Sequence, residues 1–235
     1  MLKLLKYLKP YLFYVIAAIA LLFVMANADL ALPDYLSKIV NVGIQQNGID
    51  SVIPQYIRKS QLDNMVLFFD DQEKTLVYAD YQLVDNTSAD YAQLVQTVPA
   101  LEKEPVYILN DLTKDETSQL EPVMSRGLLT LYGIQQVMTN PDQAQQMLGS
   151  LPFDTSQIPA GTDIFAVLRM SPSLLDTVKQ KINEQFQSIP DTLATQMTTA
   201  AIREEYQNLE INLGKIQTNY ILRTGGTMVP PVRRI

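Results

Sequence analysis

The side chains in this sequence that could do chemistry are almost all carboxylates, because the chain has no cysteine and no histidine. Their absence excludes thiol nucleophiles, disulfides, an imidazole general base and most zinc sites. Adjacent carboxylates occur at Asp70/Asp71 and at Glu204/Glu205, but such pairs are more typical of solvated charge on a turn or a helix face. Phosphate-loop, zinc-protease and nucleophile-elbow motifs do not occur. We therefore predict no catalytic, cofactor-binding or metal-binding residue.

Two polar residues, Asn27 and Asp29, lie near the far end of a long apolar run and are our candidates for lining a membrane pathway. Polar groups inside a bilayer are costly and often line a pathway or pack against another helix. The alternative is that both are hydrated at the level of the lipid headgroups, since Pro33 and Asp34 follow closely.

The run from Leu12 to Leu32 predicts one membrane-spanning helix, because roughly 20 helical residues cross a bilayer core. Lys3, Lys6 and Lys9 precede it, and they place the N-terminus in the cytoplasm by the positive-inside rule. Residues from about 34 to 219 would then be extracellular, on a protein of the cell membrane. Residues 1–10 predict a short amphipathic helix lying in the membrane interface.

A cleavable signal peptide is the alternative for the same run, because the residues Ala26-Asn27-Ala28 fit a cleavage site. The mature chain would then start near Asp29 and be secreted as a single-domain binding protein. We favour the anchor, because an apolar stripe continues beyond the run at helical spacing. Its residues are Leu36, Ile39, Val40, Gly43 and Ile44.

The body of the chain is acidic, with 11 basic and 23 acidic residues between positions 45 and 219. Binding to nucleic acid needs clustered lysine and arginine, so it is excluded as a function class. The composition has no tryptophan, so the core must be built from aliphatic residues, methionine, tyrosine and phenylalanine.

The pattern of the body predicts an α+β fold. We predict strands at 65–69, 75–83, 106–109 and 164–168, with an acidic turn at 70–73 between the first two. Helices are expected at 118–136 and 141–148, and a further helix should start at Ser171-Pro172 and run to about Ile189. Residues 150–161 predict a loop, and the tyrosines at 78, 81 and 91 are expected to pack rather than to form a binding patch.

A single long helix is expected at 191–222, because no proline interrupts it and apolar residues recur there in a heptad-like seam. The seam consists of Ile202, Tyr206, Leu209, Leu213, Ile216 and Tyr220. About 30 helical residues would reach roughly 45 Å. Such a helix fits a stalk that returns to the membrane beside the first helix, and equally a surface helix packed along the domain.

Both ends of the chain resemble type I ABC exporters, and most closely the bacterial multidrug half-transporters. The start, LLKYLKPYLFYVIAAIALLFVMANADLALPDYLSKIVNVGI, is similar to their elbow helix and first transmembrane helix. The finish, NYILRTGGTM, is similar to the segment that leads into their second transmembrane helix. The 169 residues between Asp50 and Tyr220 then resemble a large insertion in the first extracellular loop.

The resemblance implies five segments: an elbow helix at 1–10, a first transmembrane helix with its extension at 11–48, and an extracellular domain at 49–190. The other two segments are a returning helix at 191–222 and the truncated start of a second transmembrane helix at 223–235. The partners it implies are the lipid bilayer, the other transmembrane helices, a nucleotide-binding domain and a second half-transporter in a heterodimer. ATP and magnesium would act in that missing domain, so this chain alone is not expected to be an enzyme.

The chain departs from the family pattern after Met228. The residues VPPVRRI take the place of an apolar run, and two prolines and two arginines do not form a second span. We therefore expect the chain to be an N-terminal fragment of such a transporter.

Overall fold

The computed structural model of the protein describes residues 11–139, 163–186 and 189–228. The chain forms two compact units. The first unit combines the segments Met1–Gly48 and Gly214–Ile235, and we call it the helix pair. The second unit is Ile49–Leu213, which we call the α+β domain.

The helix pair begins with α1, Leu12–Lys38, which continues as π-helical turns over Ile39–Gln45. The helix passes through Pro33 without a break, and none of the residues in α1 is buried. The 34 residues from Leu12 to Gln45 are long and apolar enough to cross a membrane, although a signal sequence would have the same character. The predicted interfacial helix at 1–10 lies outside the described residues.

The α+β domain is mostly helical and contains one small antiparallel sheet. Its strands are β1 (Tyr56–Arg58), β2 (Tyr81–Val84) and β3 (Val106–Leu109), in the order β1-β3-β2. Tyr107 of the central strand lies opposite Ile57 on one side and Leu83 on the other. An α+β fold is thus confirmed at this coarse level, with far less strand than the sequence predicted.

Two predicted strands are wrong, because helices occupy most of their residues. The stretch 65–69 lies in α2 (Lys59–Met65) and a following 3₁₀ turn at Val66–Phe68. The stretch 75–83 lies mostly in α3 (Asp71–Asp80), and only its end enters β2. The predicted acidic turn is in fact a helix start, where Asp70 accepts from the backbone of Glu73 and the Glu73 side chain accepts from the Asp70 N–H.

The remaining short elements of the domain are α4 (Tyr91–Leu94) and a 3₁₀ turn at Pro99–Glu102. The predicted helix at 118–136 is confirmed within α5, Lys114–Thr139. The predicted strand at 164–168 is wrong, since α6 spans Ile164–Met170 and Asp163 caps it through the N–H groups of Phe165 and Ala166. The helix that opens at Pro172 is confirmed as α7, Pro172–Phe186. The predictions for 141–148 and 150–161 lie outside the described residues.

The core of the domain forms where α2, α5 and α8 (Asp191–Asn208) pack together. Gly127 of α5 lies so close to Met65 and Phe69 that a Cβ atom there would come within 2.6 Å of each side chain. The largest side chains fully removed from solvent include Phe69, Ile57, Leu62, Leu120, Met124 and Ile202.

The predicted continuous helix at 191–222 is wrong, because the chain breaks after α8 and starts again as α9, Leu213–Met228. Glu210 adopts a left-handed conformation with φ of 58°. The N–H of Ile211 donates to the carbonyl of Tyr206, and that of Glu210 to the carbonyl of Gln207, which is the Schellman pattern of a helix end. The predicted seam is therefore divided, with Ile202, Tyr206 and Leu209 buried in the domain and Ile216 and Tyr220 half-buried on α9.

Candidate functional site

The helix pair meets at Gly43, which is buried in the π-helical end of the first helix. A Cβ atom at this position would lie 2.9 Å from Cγ1 of Ile221 and 3.5 Å from the Tyr220 ring of α9. A larger side chain at position 43 would require the Ile221 side chain to shift. Glycine thus allows the two helices to approach closely at the far end of the apolar helix.

A second glycine, Gly48, fixes the end of the first helix against the same partner. Its φ is 77°, and a Cβ atom would lie 2.8 Å from Cα of Gln217. Its N–H donates to the carbonyl of Val42. Gly43 thus contacts Ile221, whereas Gly48, which comes later in the chain, contacts Gln217, which comes earlier in α9. The two helices are therefore antiparallel where they touch.

The predicted pathway residues Asn27 and Asp29 both lie on α1 and are exposed. The Asn27 amide donates to the carbonyl of Phe23 one turn earlier, at 2.7 Å, so the helix itself satisfies one of its donors. Residues two apart on an α-helix are turned away from each other by about 200°. The structure therefore does not bring these two side chains together on one helix face.

A buried ion pair in the α+β domain ties β1 to α8. Glu205 is 3 % exposed, and it accepts from the backbone N–H of Arg58 at 2.7 Å and from the Arg58 Nη2 atom at 2.7 Å. The guanidinium also lies 3.7 Å from Glu104. Next to Glu205, the hydroxyl of Tyr206 accepts from the N–H of Gln55 at 2.8 Å. Gln55 and Arg58, which precede α2, are thus held by two consecutive residues of α8.

The sequence prediction for Glu205 is wrong, because this carboxylate is buried and paired rather than solvated. A signal for its position was present, since Glu205 follows Ile202 by three residues and so lies on the buried face of the helix. Its partner Arg58 gave no signal, because 147 residues separate the two. In the other pair of adjacent carboxylates, Asp70 caps α3, and Asp71 is exposed and pairs with Lys74 at 3.0 Å.

The three tyrosines singled out in the sequence do not form one patch. Tyr81 is buried and its hydroxyl donates to the carbonyl of Pro54 at 2.6 Å, and burial raises its pKa well above the ordinary value. Tyr78 is exposed and its ring lies 6.0 Å from that of Tyr107. Tyr91 is half-buried at the start of α4. The predicted packing is confirmed for Tyr81, whereas Tyr78 lies at the surface.

Within the described ranges, no three histidine, cysteine, aspartate or glutamate side chains are grouped so that they could hold a metal ion. No protein-family model, no curated protein and no solved structure matches the chain.

Proposed function

We propose that this chain is the N-terminal part of the transmembrane subunit of an ATP-driven exporter of the ABC type. In this proposal α1 is the first transmembrane helix, α9 leads into the second, and the α+β domain is inserted between them on the extracellular side. The observation that carries the proposal is the antiparallel contact of the two helices at Gly43 and Ile221. A first extracellular loop must connect two antiparallel helices, whatever its length.

The exposure of α1 supports a permanent place in lipid. Its apolar side chains are exposed along the whole length, including Phe13 at 77 %, Phe23 at 70 % and Leu30 at 78 %. Soluble proteins rarely expose a continuous apolar surface of this extent. Lipid or neighbouring transmembrane helices would cover it.

The course of the helix supports an anchor over a cleaved signal peptide. The residues 26–28, which fit a cleavage site, lie within α1, and the helix continues from there to Lys38 and on to Gln45. Its far end is held against α9. Cleavage after Ala28 would separate that held end from the apolar part.

The anchor and its orientation are tested by thiol labelling, because the chain has no cysteine of its own. Single variants Lys6→Cys and Ser88→Cys are expressed in cells and treated with a membrane-impermeant maleimide. We expect labelling of Ser88→Cys in intact cells and of Lys6→Cys only after lysis, with both chains in the membrane fraction. A mature chain that begins near Asp29 in the medium would overturn the anchor.

The exporter assignment is tested in the gene and in the transporter. DNA downstream of codon 235 should encode, in one of its frames, an apolar segment of about 20 residues and later a phosphate-binding loop. In the full-length protein, Ile49–Leu213 is then replaced by a short glycine–serine linker that joins Gly48 to Gly214. We expect a changed transport rate or substrate range, since the domain would cover the extracellular mouth. Unchanged transport would exclude a role for the domain in gating.

A further inference from the structure

The α+β domain carries a surface groove that the exporter proposal does not use. It has a volume of about 540 Å³, which is within the range of small-molecule sites. Val66 and Leu67 line it from the 3₁₀ turn that follows α2, and the other lining residues come from α2, α3, α6 and α7. Helix α7 packs on that 3₁₀ turn, so the groove belongs to the folded domain.

Two helices line the groove with the same arrangement of side chains. On α3, Lys74 and Tyr78 are four residues apart, and on α7 Leu175 and Lys179 are also four residues apart. Residues at this spacing lie on one face of a helix. Each helix therefore presents one ammonium group and one apolar or aromatic group to the same space.

The charge lining the groove is positive, although the domain around it is acidic. Lys74, Arg169 and Lys179 line it together with a single carboxylate, Asp63, which is already paired with Lys59. Arg169 donates to the neutral amide oxygen of Asn64. In the part of the chain that the structure covers, Lys179 forms no ion pair. Two cations of the groove thus lack a carboxylate partner.

Tyr78 adds a hydrogen-bond donor and an aromatic surface to this lining. Its hydroxyl can donate at neutral pH, because the ordinary pKa of a tyrosine is about 10 and partial burial raises the pKa here. A ligand that satisfies the groove must therefore accept hydrogen bonds, carry negative charge and offer an apolar part to Tyr78 and Leu175.

We propose that this groove binds a small amphipathic anion, namely a carboxylate or phosphate attached to a short aromatic or aliphatic group. The two unneutralised cations, Arg169 and Lys179, bind the anionic group, and Tyr78 with Leu175 and Val66 contacts the apolar group. The inference does not depend on the exporter proposal, because all of these residues lie within the α+β domain.

The test uses the full chain in phosphatidylcholine nanodiscs and isothermal titration with phenyl phosphate as the probe. We expect the double variant Arg169→Gln/Lys179→Gln to weaken binding at least tenfold. The matched control is Arg203→Gln/Lys181→Gln, which removes the same charge from exposed positions outside the groove. The control should bind within twofold of the unmodified chain, and circular dichroism should show both variants folded.

Inorganic phosphate carries only the anionic half of the proposed ligand, and phenol carries only the aromatic half. Both should bind at least tenfold more weakly than phenyl phosphate, since each lacks one half. Equal binding of phosphate and phenyl phosphate would overturn the amphipathic character of the site. An equal loss in the control variant would show only diffuse attraction by positive charge and overturn the site itself, as would no binding to the unmodified chain.

Discussion

Glu205 accepts hydrogen bonds from both the backbone N–H and the guanidinium of Arg58, and so joins α8 to the start of the sheet. Removing Glu205 leaves the backbone N–H of Arg58 without its acceptor and leaves the half-buried guanidinium with only the more distant Glu104, and the loss of such hydrogen bonds to a charged group typically costs about 1.5–3 kcal/mol. We expect Glu205→Ala to lower the free energy of unfolding of the α+β domain by about that amount. Urea denaturation followed by circular dichroism measures it.

The neighbouring residue provides the control for this change. Glu204 is half-buried and forms no ion pair in the described structure, so Glu204→Ala should change the free energy of unfolding by no more than about 0.5 kcal/mol. Equal losses for the two variants would mean that the carboxylate charge of α8, rather than its pairing with Arg58, stabilises the domain.

Gly127 and Gly225 are both helical glycines, but we expect alanine to have opposite effects at the two positions. At Gly127 a Cβ atom would meet Met65 and Phe69 at 2.6 Å, so Gly127→Ala should destabilise the domain by about 1–3 kcal/mol through overpacking. At Gly225 a Cβ atom would meet none of the described residues within 4 Å. There the change should stabilise α9 by about 0.5–1 kcal/mol through helix propensity.

The two glycine variants are compared by thermal unfolding under identical conditions, with the loss at Gly127 expected in the transition of the α+β domain. A gain in stability for Gly127→Ala would show that α5 can move away from Met65 without cost. Such a result would contradict the close packing that we assign to this point of the core.

Asp80 ends α3 with a buried carboxylate oxygen, Oδ2, that has no hydrogen-bond partner among the residues that the structure describes. Burial, and then the charge of Glu116, raises the pKa of this group. The folded state therefore holds the proton to higher pH than the unfolded state does. The free energy of unfolding should fall as the pH rises from the ordinary aspartate pKa through the raised folded value. We expect Asp80→Asn to remove this fall, so that the variant loses less stability than the unmodified chain as the pH rises to 7.

Asp85 gives the opposite sign and serves as the control for pH dependence. Hydrogen bonds from the side chain and backbone of Thr87 lower the pKa of its carboxyl group. Its stabilising effect is present above the ordinary aspartate pKa and is lost as the pH falls through the lowered folded value. Asp85→Asn should therefore destabilise the protein at neutral pH but not at a pH below the lowered pKa of the folded state. If Asp80→Asn and Asp85→Asn change the stability with the same sign in a pH series of thermal unfolding, the environments that we assign to the two carboxyl groups are wrong.

The sequence predicted three of the helices and the central strand, Val106–Leu109, but it missed the break in the longest predicted helix and the type of several short elements. The apolar helix, α5 and α7 follow from length, periodicity and a proline in the first turn. The five residues at 65–69 predict a strand because they are all apolar and show no helical period by themselves. The longer spacing of Leu62, Met65, Val66 and Phe69 is helical, and Asp70 with Glu73 forms a capping box.

Other features could not be predicted, because they depend on distant contacts. The left-handed Glu210 lies where local propensity favours a continuous helix, and nothing nearby in the sequence marks the break. The domain nevertheless holds this turn, since the Ala100 N–H donates to the carbonyl of Leu209 and Lys103 pairs with Glu210. The groove likewise combines residues from two distant stretches of the chain, 63–78 and 169–179.

The helix pair makes the sharpest prediction for the proposed function, because Gly43 and Ile221 are close enough to be joined by a disulfide. The 2.9 Å between a Cβ atom at position 43 and Cγ1 of Ile221 places the two Cβ positions within the roughly 4.5 Å that a disulfide tolerates. Ile221→Cys also removes the side-chain atoms that would meet a cysteine at position 43. We expect Gly43→Cys/Ile221→Cys to form a disulfide on mild oxidation in membranes, detected by a mobility shift that reducing agent reverses.

Leu222 is the matched control, because it is 68 % exposed and is turned about 100° around α9 from Ile221. Gly43→Cys/Leu222→Cys should stay reduced under the same conditions. Cross-linking of both pairs at equal rates would show only random collision. If neither pair cross-links, the two helices do not lie against each other, and the hairpin on which the exporter proposal rests is excluded.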